Sequence, residues 1–137
     1  MNDPLFMLDT NMASYAIREQ DTNLDSRLEE IGVSSICISA ITEAELRSRL
    51  SQNPGALKLK ELVDEFLARV DSLPWGTDAA RGYAELRSQS KVRGFTLSNM
   101  DMLIGAHSIA SGATLVTNDS AFSHLSKWIK LENWVDG

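Results

Sequence analysis

The sequence predicts a single α/β domain, built on a mainly parallel central sheet with helices on both of its faces. Two observations lead to this fold class. Short apolar runs typical of buried strands alternate along the chain with longer segments whose apolar residues recur at helical spacing. The length of 137 residues suits one hydrophobic core, and no linker, low-complexity segment or internal repeat divides residues 1–137.

The first part of the chain predicts two strands and four helices. Strands are expected at residues 5–8 and 35–39, and helices at 11–19, 24–31, 42–50 and from 53 to about 70. Gly32 ends the second of these helices. Thr42 is expected to cap the third, with Glu45 three residues later at the capping-box position. Asn53 is expected to cap the fourth, because Pro54 fits its first turn.

The second part of the chain predicts two further helices and up to three strands. A minor strand is expected at residues 72–75, a clear strand at 113–117 and a last edge strand within 128–134. One helix begins at Thr77 and runs to about Gly94. The other begins at Ser98, whose spacing to Asp101 resembles a capping box, and Gly112 ends it.

Composition and charge limit the function classes. The net charge of −6 disfavours a passive nucleic-acid-binding module, which would normally be basic, but it allows an enzyme that holds phosphates through metal ions. The start of the chain lacks the features of a signal peptide, and no apolar run approaches the length of a membrane span. The single cysteine, Cys37, excludes an internal disulfide and a multi-cysteine zinc site. We expect it to be buried, in a protein of the reducing cytoplasm.

Four acidic residues lie at predicted junctions between strands and helices. Asp9, Glu45 and Asp119 each follow a predicted strand, and Asp101 lies in the first turn of its helix. Because open parallel sheets bind ligands beyond the carboxyl ends of their strands, these carboxylates are expected at one edge. They would repel each other unless a divalent cation lay between them, and Mg²⁺ prefers carboxylate and water oxygens. The alternative for each acid alone is a helix cap or a solvated side chain.

Four sequence blocks resemble, in order and spacing, those of PIN-domain proteins and more closely those of the VapC toxins of bacterial toxin–antitoxin pairs. They are Leu8-Asp9-Thr10-Asn11, Ser39-Ala40-Ile41-Thr42-Glu43-Ala44-Glu45-Leu46, Asn99-Met100-Asp101-Met102-Leu103-Ile104-Gly105-Ala106-His107 and Gly112-Ala113-Thr114-Leu115-Val116-Thr117-Asn118-Asp119. The closing segment Leu131-Glu132-Asn133-Trp134 also fits, so the resemblance covers essentially the whole chain.

The resemblance implies a PIN-like three-layer α/β/α sandwich with the activity of a Mg²⁺-dependent endoribonuclease toxin, for which Mn²⁺ can substitute. Such a toxin hydrolyses RNA phosphodiester bonds, with tRNA the favoured substrate, leaves 5′-phosphate and 3′-hydroxyl ends, and arrests translation. The resemblance also implies neutralisation by a VapB-type antitoxin protein, and assembly as a homodimer or as a hetero-oligomer with that antitoxin.

By position, the resemblance assigns catalytic and metal-binding roles to Asp9, Glu45, Asp101 and Asp119, with Asp9 and Asp101 as the main ligands. Glu45 rather than Glu43 matches the family acid, because it precedes Leu46 in the Ala-Glu-Leu step. The residues that would orient carboxylates or waters are Thr10, Asn11, Thr117 and Asn118. One departure is Ser48-Arg49, where many relatives have an aromatic or small residue followed by Gly. It leaves local helix geometry or substrate contacts open.

Basic and aromatic residues offer candidates for RNA contacts. Arg87, Lys91 and Arg93 belong to the densest basic stretch, which begins at Arg81, and Arg87 and Lys91 share a helix face because they are four apart. A solvated helix face is the alternative. Trp75 and Tyr83 could stack on bases, with core packing as the alternative for each.

Two further groups of residues have an ordinary alternative. Met12, Tyr15 and Ile17, with the apolar side of residues 24–31, either form a groove for the antitoxin or complete the core. Hydrolysis by water needs no histidine pair, so neither histidine is assigned to catalysis. We expect His107 to be packed and hydrogen-bonded on its mostly apolar helix.

Three other classes compete with this interpretation. A catalytically silent PIN-like module that binds RNA or protein would tolerate loss of the acids, and all four are present. A metal-dependent, DNA-directed nuclease shares the chemistry but usually carries extra helical clamps. A phosphoacceptor receiver domain would have paired acids after the first strand and a Lys after a late one, where this chain has Asp9 alone and Asn118-Asp119.

Overall fold

A computed structural model describes residues 4–135, and within that range lies one sheet of five parallel strands. The strands are β1 (Phe6–Leu8), β2 (Ile36–Ser39), β3 (Asp71–Leu73), β4 (Thr114–Val116) and β5 (Leu131–Glu132). Their order across the sheet is β3-β2-β1-β4-β5. All five lie in or beside the ranges that the sequence predicts, although β5 takes only two residues of the range 128–134.

Helices cover both faces of this sheet. They are α1 (Thr10–Arg18), α2 (Thr22–Ile31), α3 (Ala40–Gln52), α4 (Leu57–Arg69), α5 (Thr77–Arg93) and α6 (Asn99–Ser111), with 3₁₀ segments at Val33–Ser35 and Ser120–Leu125. The predicted three-layer α/β/α sandwich is confirmed. No helix within residues 4–135 has both the length and the apolar composition needed to cross a membrane.

Alternating side chains of the strands divide the interior into two cores. Leu8, Ile38 and Val116 belong to the core with α1–α4, whereas Met7, Cys37 and Leu115 belong to the core with α5 and α6. All six side chains are fully buried. The predicted burial of Cys37 is therefore confirmed.

β1 and β4 lie side by side and end level with each other. Leu8 is in register with Val116, and the N–H of Asp9 donates to the Val116 carbonyl at 3.1 Å. The chain builds β2 and β3 on one side of β1 and then returns to place β4 on the other side. Such a reversal opens a crevice beyond the carboxyl ends of the strands, where α/β proteins bind ligands. The fold thus brings Asp9 and the residues after β4 to this crevice.

Two glycines end helices as the sequence predicts. Gly32 follows α2 with φ of 89°, and Gly112 follows α6 with φ of 70°. Both values lie in the left-handed region that favours glycine, because other L-residues have a Cβ that crowds the backbone there.

The predicted cap of α3 is wrong. Ser39, not Thr42, caps this helix: its hydroxyl accepts the N–H of Ile41 at 3.1 Å, and the helix starts at Ala40. Thr42 lies inside the first turn and is buried. Ser and Thr are both good caps, so the local sequence offers two starts, and the end of β2 selects the earlier one.

The predicted start of α4 is also wrong. Asn53 ends α3, because its N–H donates to the Leu50 carbonyl at 3.1 Å. Its own carbonyl accepts the N–H of Ala56 at 3.0 Å, so Asn53-Pro54-Gly55 forms a turn, and α4 starts at Leu57 without a side-chain cap. Asn and Pro favour turns as well as helix starts, and here the turn prevails.

Candidate active site

Asp9 lies directly after β1 and is buried, with 4 % of its surface exposed. Oδ1 accepts the N–H of Met12 at 2.8 Å and so caps α1, while Oδ2 accepts the hydroxyl of Thr117 at 2.5 Å. The pKa of Asp9 is raised to about 6. Burial is the main cause, the two hydrogen bonds lower the pKa, and repulsion from Asp101 and Asp119 raises it again. This buried carboxylate therefore lies in the field of two others.

Thr117 connects Asp9 to Asp119. Its hydroxyl donates to the Asp9 carboxylate and accepts the N–H of Asp119 at 3.0 Å. Its own N–H donates to the carbonyl of Glu132 in β5 at 2.9 Å, so the residue is fixed at the end of the sheet. One buried hydroxyl thus orients a carboxylate after β1 and the backbone of an acidic residue after β4.

Glu45 lies in the second turn of α3 and is half-buried. Its Oε1 accepts the hydroxyl of Thr10 at 2.6 Å, which joins it to the start of α1. The neighbouring Glu43 instead pairs with Arg47, with Oε2 and Nε 2.7 Å apart. Of the two glutamates, Glu45 is therefore the one held at the edge of the sheet, and Glu43 is neutralised by a surface ion pair.

Thr42 also belongs to this site, although the sequence assigned it to a helix cap. Its hydroxyl is fully buried and lies 3.2 Å from the hydroxyl of Thr10. The available signal was its helical spacing from Glu45, because residues three apart share a helix face. The site thus contains three buried hydroxyls beside its carboxylates, those of Thr10, Thr42 and Thr117.

Asp101 lies half-buried in the first turn of α6, as predicted. Its N–H donates to the hydroxyl of Ser98, which caps the helix at 3.1 Å. Burial raises the pKa of Asp101, the hydrogen bond with Ser98 lowers it, and repulsion from Asp119 and Glu45 raises it further. The charge of Asp119, which follows β4, and the charge of Glu45, which lies on α3, therefore both act on the Asp101 carboxyl.

Asp119 is both a helix cap and a member of the acidic group. Its Oδ1 accepts the N–H of Ala121 at 2.9 Å, which caps the 3₁₀ segment Ser120–Leu125. Its negative charge also raises the pKa of Asp9 and of Asp101. Asp119 and Asp9 are thus helix caps, which the sequence analysis gave as the alternative. Each of them nevertheless also belongs to the acidic group.

The four carboxylates have no basic partner among residues 4–135. Among residues 4–135, none of the ion pairs involves Asp9, Glu45, Asp101 or Asp119. In the same part of the chain, no three His, Cys, Asp or Glu side chains are grouped closely enough to hold one metal ion directly. The ligand type is nevertheless one that Mg²⁺ accepts, because this hard cation usually takes one or two carboxylates and completes its coordination with water.

Asn11 and Asn118 lie beside site residues, but both side chains are exposed. Neither forms a side-chain hydrogen bond within the described part of the chain. Their role in orienting carboxylates or waters stays a prediction.

Arg87 is held near the start of α6. Its guanidinium donates to the Tyr83 hydroxyl at 2.9 Å and to Oδ1 of Asn99, and it lies 5.2 Å from the centre of the Tyr83 ring. Asn99 is two residues before Asp101 in sequence. Arg87 is thus placed on the side of the molecule where Asp101 lies.

The other predicted RNA contacts differ in their surroundings. Lys91 is exposed, whereas Arg93 lies over the ring of Trp128, 5.5 Å from its centre. Trp75 is fixed by its indole N–H, which donates to the Leu103 carbonyl at 2.9 Å. The core-packing alternative is correct for Tyr83, which packs against the core with α5 and α6. Trp75 is half-buried and belongs to neither core, so an RNA-binding role for Trp75, Lys91 and Arg93 stays a prediction.

His107 is packed and hydrogen-bonded, as expected. It is 4 % exposed, and its Nδ1 lies 2.7 Å from the hydroxyl oxygen of Ser39. Burial lowers the pKa of the His107 imidazole, which favours the neutral ring. The same hydroxyl oxygen accepts the N–H of Ile41, so Ser39 joins His107 to the start of α3.

Comparison with known proteins identifies the family of this chain. The PIN domain matches residues 6–127 of the chain. The chain is 35 % identical to Ribonuclease VapC2 of Rickettsia felis over 132 residues, which cover 95 % of this chain and 98 % of that protein. It is 27 % identical to the tRNA(fMet)-specific endonuclease VapC of Salmonella typhimurium, over 94 % of this chain and 97 % of that one.

Solved structures give the same result. The fold matches VapBC2 from Rickettsia felis bound to a DNA fragment from their promoter, with a TM-score of 0.86 and 33 % identity over 95 % of this chain and 98 % of that one. It matches DNA-bound VapBC from Salmonella typhimurium with a TM-score of 0.88 and 27 % identity, over 96 % and 99 % of the two chains. The PIN-domain match, the relatives and the solved structures all extend along nearly the whole chain. This chain therefore belongs to the PIN-domain family and, within it, to the VapC proteins.

Proposed function

We propose that this chain is a Mg²⁺-dependent endoribonuclease toxin, which hydrolyses RNA phosphodiester bonds and so arrests translation. Its class, a ribonuclease of the VapC type, follows from family membership. The metal dependence and the substrate are the new part of the proposal. One observation carries it: burial, and then repulsion from other acids of the site, raises the pKa of Asp9 and of Asp101, and the described residues supply no basic partner for any of these acids.

Asp9 and Asp101 would hold the ion, with Glu45 and Asp119 beside it. When bound, Mg²⁺ lowers the pKa of a water, polarises a phosphoryl oxygen and neutralises charge that develops in the transition state. The donor set fits this ion, because all four side chains offer carboxylate oxygens and no sulfur or imidazole ligand.

The chain itself contributes the placement of the carboxylates. Thr117 donates to Asp9 at 2.5 Å and Thr10 donates to Glu45 at 2.6 Å. Each of these carboxylates retains lone pairs that its hydrogen bonds do not use, so it remains able to bind a cation. Attack by water requires no 2′-hydroxyl nucleophile and no histidine, in keeping with the buried position of His107. The expected products carry 5′-phosphate and 3′-hydroxyl ends.

Replacing Thr117 with Val is expected to lower the rate of RNA cleavage by roughly 10- to 100-fold, as is usual when a residue that orients a metal ligand is lost. Val removes the donor to Asp9 and the acceptor for the Asp119 N–H while keeping the shape of the side chain. Initial rates at saturating Mg²⁺ measure the effect. Thr117→Ser is the matched control, because it keeps the hydroxyl. Equal rates for the Val and Ser variants would show that the hydroxyl has no role.

The proposed substrate is tRNA. The support is the Salmonella typhimurium relative, which is named a tRNA(fMet)-specific endonuclease and is 27 % identical to this chain. A structured RNA also presents closely spaced phosphates, which a metal site and nearby arginines can bind together. End mapping of the cleavage products identifies the bond that is cut.

The proposed protein partner is a VapB-type antitoxin with a basic binding segment. The solved relatives are VapBC assemblies. In this chain a depression of about 430 Å³ lies among α1, α2 and α4, and its lining includes the apolar Leu28 and Phe66. The acidic Glu19, Asp25 and Glu29 also line it and outnumber its one basic residue, Arg69. An apolar segment with basic side chains would complement this lining. Assembly as a homodimer or with the antitoxin, and a cytoplasmic location, belong to the same proposal.

The residues that the sequence assigned to this groove are mostly in the core. Met12, Ile17 and Leu24 are buried, and Tyr15 is half-buried. Core packing, the alternative to a groove, is therefore correct for Met12, Ile17 and Leu24, whereas Leu28 does line the depression.

The test is incubation of the purified chain with total RNA and with folded tRNA, in Mg²⁺, in Mn²⁺ or in EDTA. Cleavage is expected with either metal, because each supplies the cation that the carboxylates lack. It is expected to stop in EDTA and to return when excess Mg²⁺ is added. Gel electrophoresis follows the cleavage, and end mapping identifies the product termini.

The same purification of the Asp101→Asn protein is the control for a contaminating ribonuclease. Equal cleavage by this variant, or cleavage that survives EDTA, contradicts the proposal. A parallel reaction contains single-stranded DNA of the same sequence. Cleavage of DNA alone would favour a DNA-directed nuclease, and RNA binding without any cleavage would favour a silent module.

A further inference from the structure

Two arginines converge on one depression of the surface next to the acidic site. Arg18 of α1 and Arg49 of α3 line a depression of about 90 Å³, together with Ser14. The rest of its lining is apolar and consists of Ile17, Leu46, Leu50, Leu59 and Val63. Both arginines are exposed, and the ion pairs found among residues 4–135 include neither of them.

The depression lies one helical turn away from Glu45. Two contacts join α1 to α3: the Thr10 hydroxyl meets Glu45 at 2.6 Å, and the Arg49 guanidinium donates to the Ser14 hydroxyl at 2.8 Å. The second contact is displaced from the first by four residues on both helices. Four residues correspond to about 6 Å along a helix, so the Arg49 contact lies directly beside the acidic site.

The chemistry of the depression favours an anion. Two guanidinium groups that share one depression repel each other, and a bound anion would remove this repulsion. Guanidinium groups match phosphate oxygens with two parallel hydrogen bonds. Ser14 accepts from Arg49, so its hydroxyl hydrogen remains to donate to the same anion. The apolar lining is suited to the methylene stems of the arginines.

We propose that Arg18, Arg49 and Ser14 form a subsite for a phosphodiester of the RNA strand, adjacent to the phosphodiester that is cut. This inference rests on the proposed ribonuclease function. It supplies the positive charge that a chain of net charge −6 needs in order to hold a polyanion near four carboxylates. It also differs from the α5 candidates, since Arg87 is already hydrogen-bonded to Tyr83 and Asn99.

The test measures RNA binding in the Asp101→Asn background, in which the strand stays intact. The probe is a fluorescein-labelled single-stranded RNA of about 20 nucleotides, and fluorescence anisotropy is recorded from low to moderate salt. Arg49→Ala and Arg18→Ala are each expected to weaken binding by about tenfold, as for loss of a charge-assisted hydrogen bond. Each is also expected to reduce the slope of log affinity against log salt by about 0.7, the value per phosphate contact on single strands.

Arg47→Ala is the matched control, because this arginine lies on the same helix but is paired with Glu43. It is expected to leave the affinity and the salt slope unchanged. Unchanged RNA binding by both Arg18→Ala and Arg49→Ala overturns the proposal. So does a loss of affinity for a VapB-type antitoxin without a loss of affinity for RNA, which would assign the depression to a protein. If one of these results is obtained while the wild-type chain still cleaves RNA in Mg²⁺, the subsite proposal is wrong and the proposed ribonuclease function stands.

Two further arms identify the source of the phosphate. Inorganic phosphate at about 10 mM is expected to compete only weakly, since it lacks the counterion release of a polyanion. Strong competition that depends on Arg49 would assign the depression to a free anion and overturn the proposal. After the cut bond is mapped, a neutral methylphosphonate is placed at each flanking position. At one of them, Arg49→Ala is expected to cause no additional loss of binding. Full additivity at both positions contradicts the subsite.

Discussion

Replacing Asp9 with Asn is expected to lower the rate of RNA cleavage by about a thousandfold while leaving the fold intact. A metal ion contributes several kcal/mol to such a reaction, and each 1.4 kcal/mol changes a rate tenfold. Asn lacks the negative charge that would hold the proposed ion. It caps a helix as well as Asp does, so its amide oxygen can still accept the N–H of Met12 that Asp9 accepts at 2.8 Å. Single-turnover cleavage in Mg²⁺ measures the rate, and circular dichroism checks the fold.

The chain contains a matched control for this change. Asp21 caps α2 as Asp9 caps α1, accepting the N–H of Leu24 at 2.9 Å. Asp21→Asn therefore makes the same chemical change at a similar cap away from the four acids. Its cleavage rate is expected to equal that of the wild type. A similar loss of activity in both variants would mean that capping, and not metal binding, explains the requirement for Asp9.

In the metal-free protein, Asp9 is expected to reduce the free energy of unfolding by about 3 kcal/mol at neutral pH. Its carboxyl has a pKa of about 6 in the folded chain, against 3.8 for the ordinary group. Each pKa unit corresponds to 1.36 kcal/mol, and the folded state binds the proton more tightly. Stability from Asp9 is thus greatest below about pH 4, falls as the pH rises to about 6, and stays low above it. The raised pKa of Asp101 acts in the same direction.

Urea denaturation in EDTA between pH 4 and pH 8 measures this effect, with Asp9→Asn as the reference that has no titrating carboxyl. The two proteins are expected to have equal stability near pH 4, and the variant is expected to be the more stable one above pH 6. Added Mg²⁺ should then stabilise the wild type at pH 7.5 by mass action and have little effect on the variant. A difference between the two proteins that does not change with pH would contradict the burial of an ionised Asp9.

The sequence predicts the sheet and two of its edge acids, Asp9 and Asp119, because local signals coincide there. Residues 5–8 and 113–117 are apolar runs that end at Asp9 and just before Asp119, and each acid is also a good cap for the segment that follows. Apolar pattern and cap therefore point to the same boundaries. Parallel strands then bring both acids to one edge.

Other parts of the site depend on contacts between distant residues. Ser39 and Thr42 are both acceptable caps locally, and Thr42 becomes a buried neighbour of Thr10 only when α1 packs on α3. Arg18 and Arg49 are far apart in sequence, and only the same packing places them on one depression. Patterns of apolar residues indicate which face of a helix is buried, but not which residue of another helix it meets.

The double role of Asp9 has a genetic consequence. A single base change converts an Asp codon into an Asn codon, and at this position Asn can still cap α1. A cell whose growth is arrested by this enzyme could therefore be rescued by a point mutation that leaves a full-length, folded protein. Such a protein would still present the depression among α1, α2 and α4 and could still occupy the antitoxin. Survivors of expression of this gene are thus expected to include missense changes at Asp9 as well as truncations.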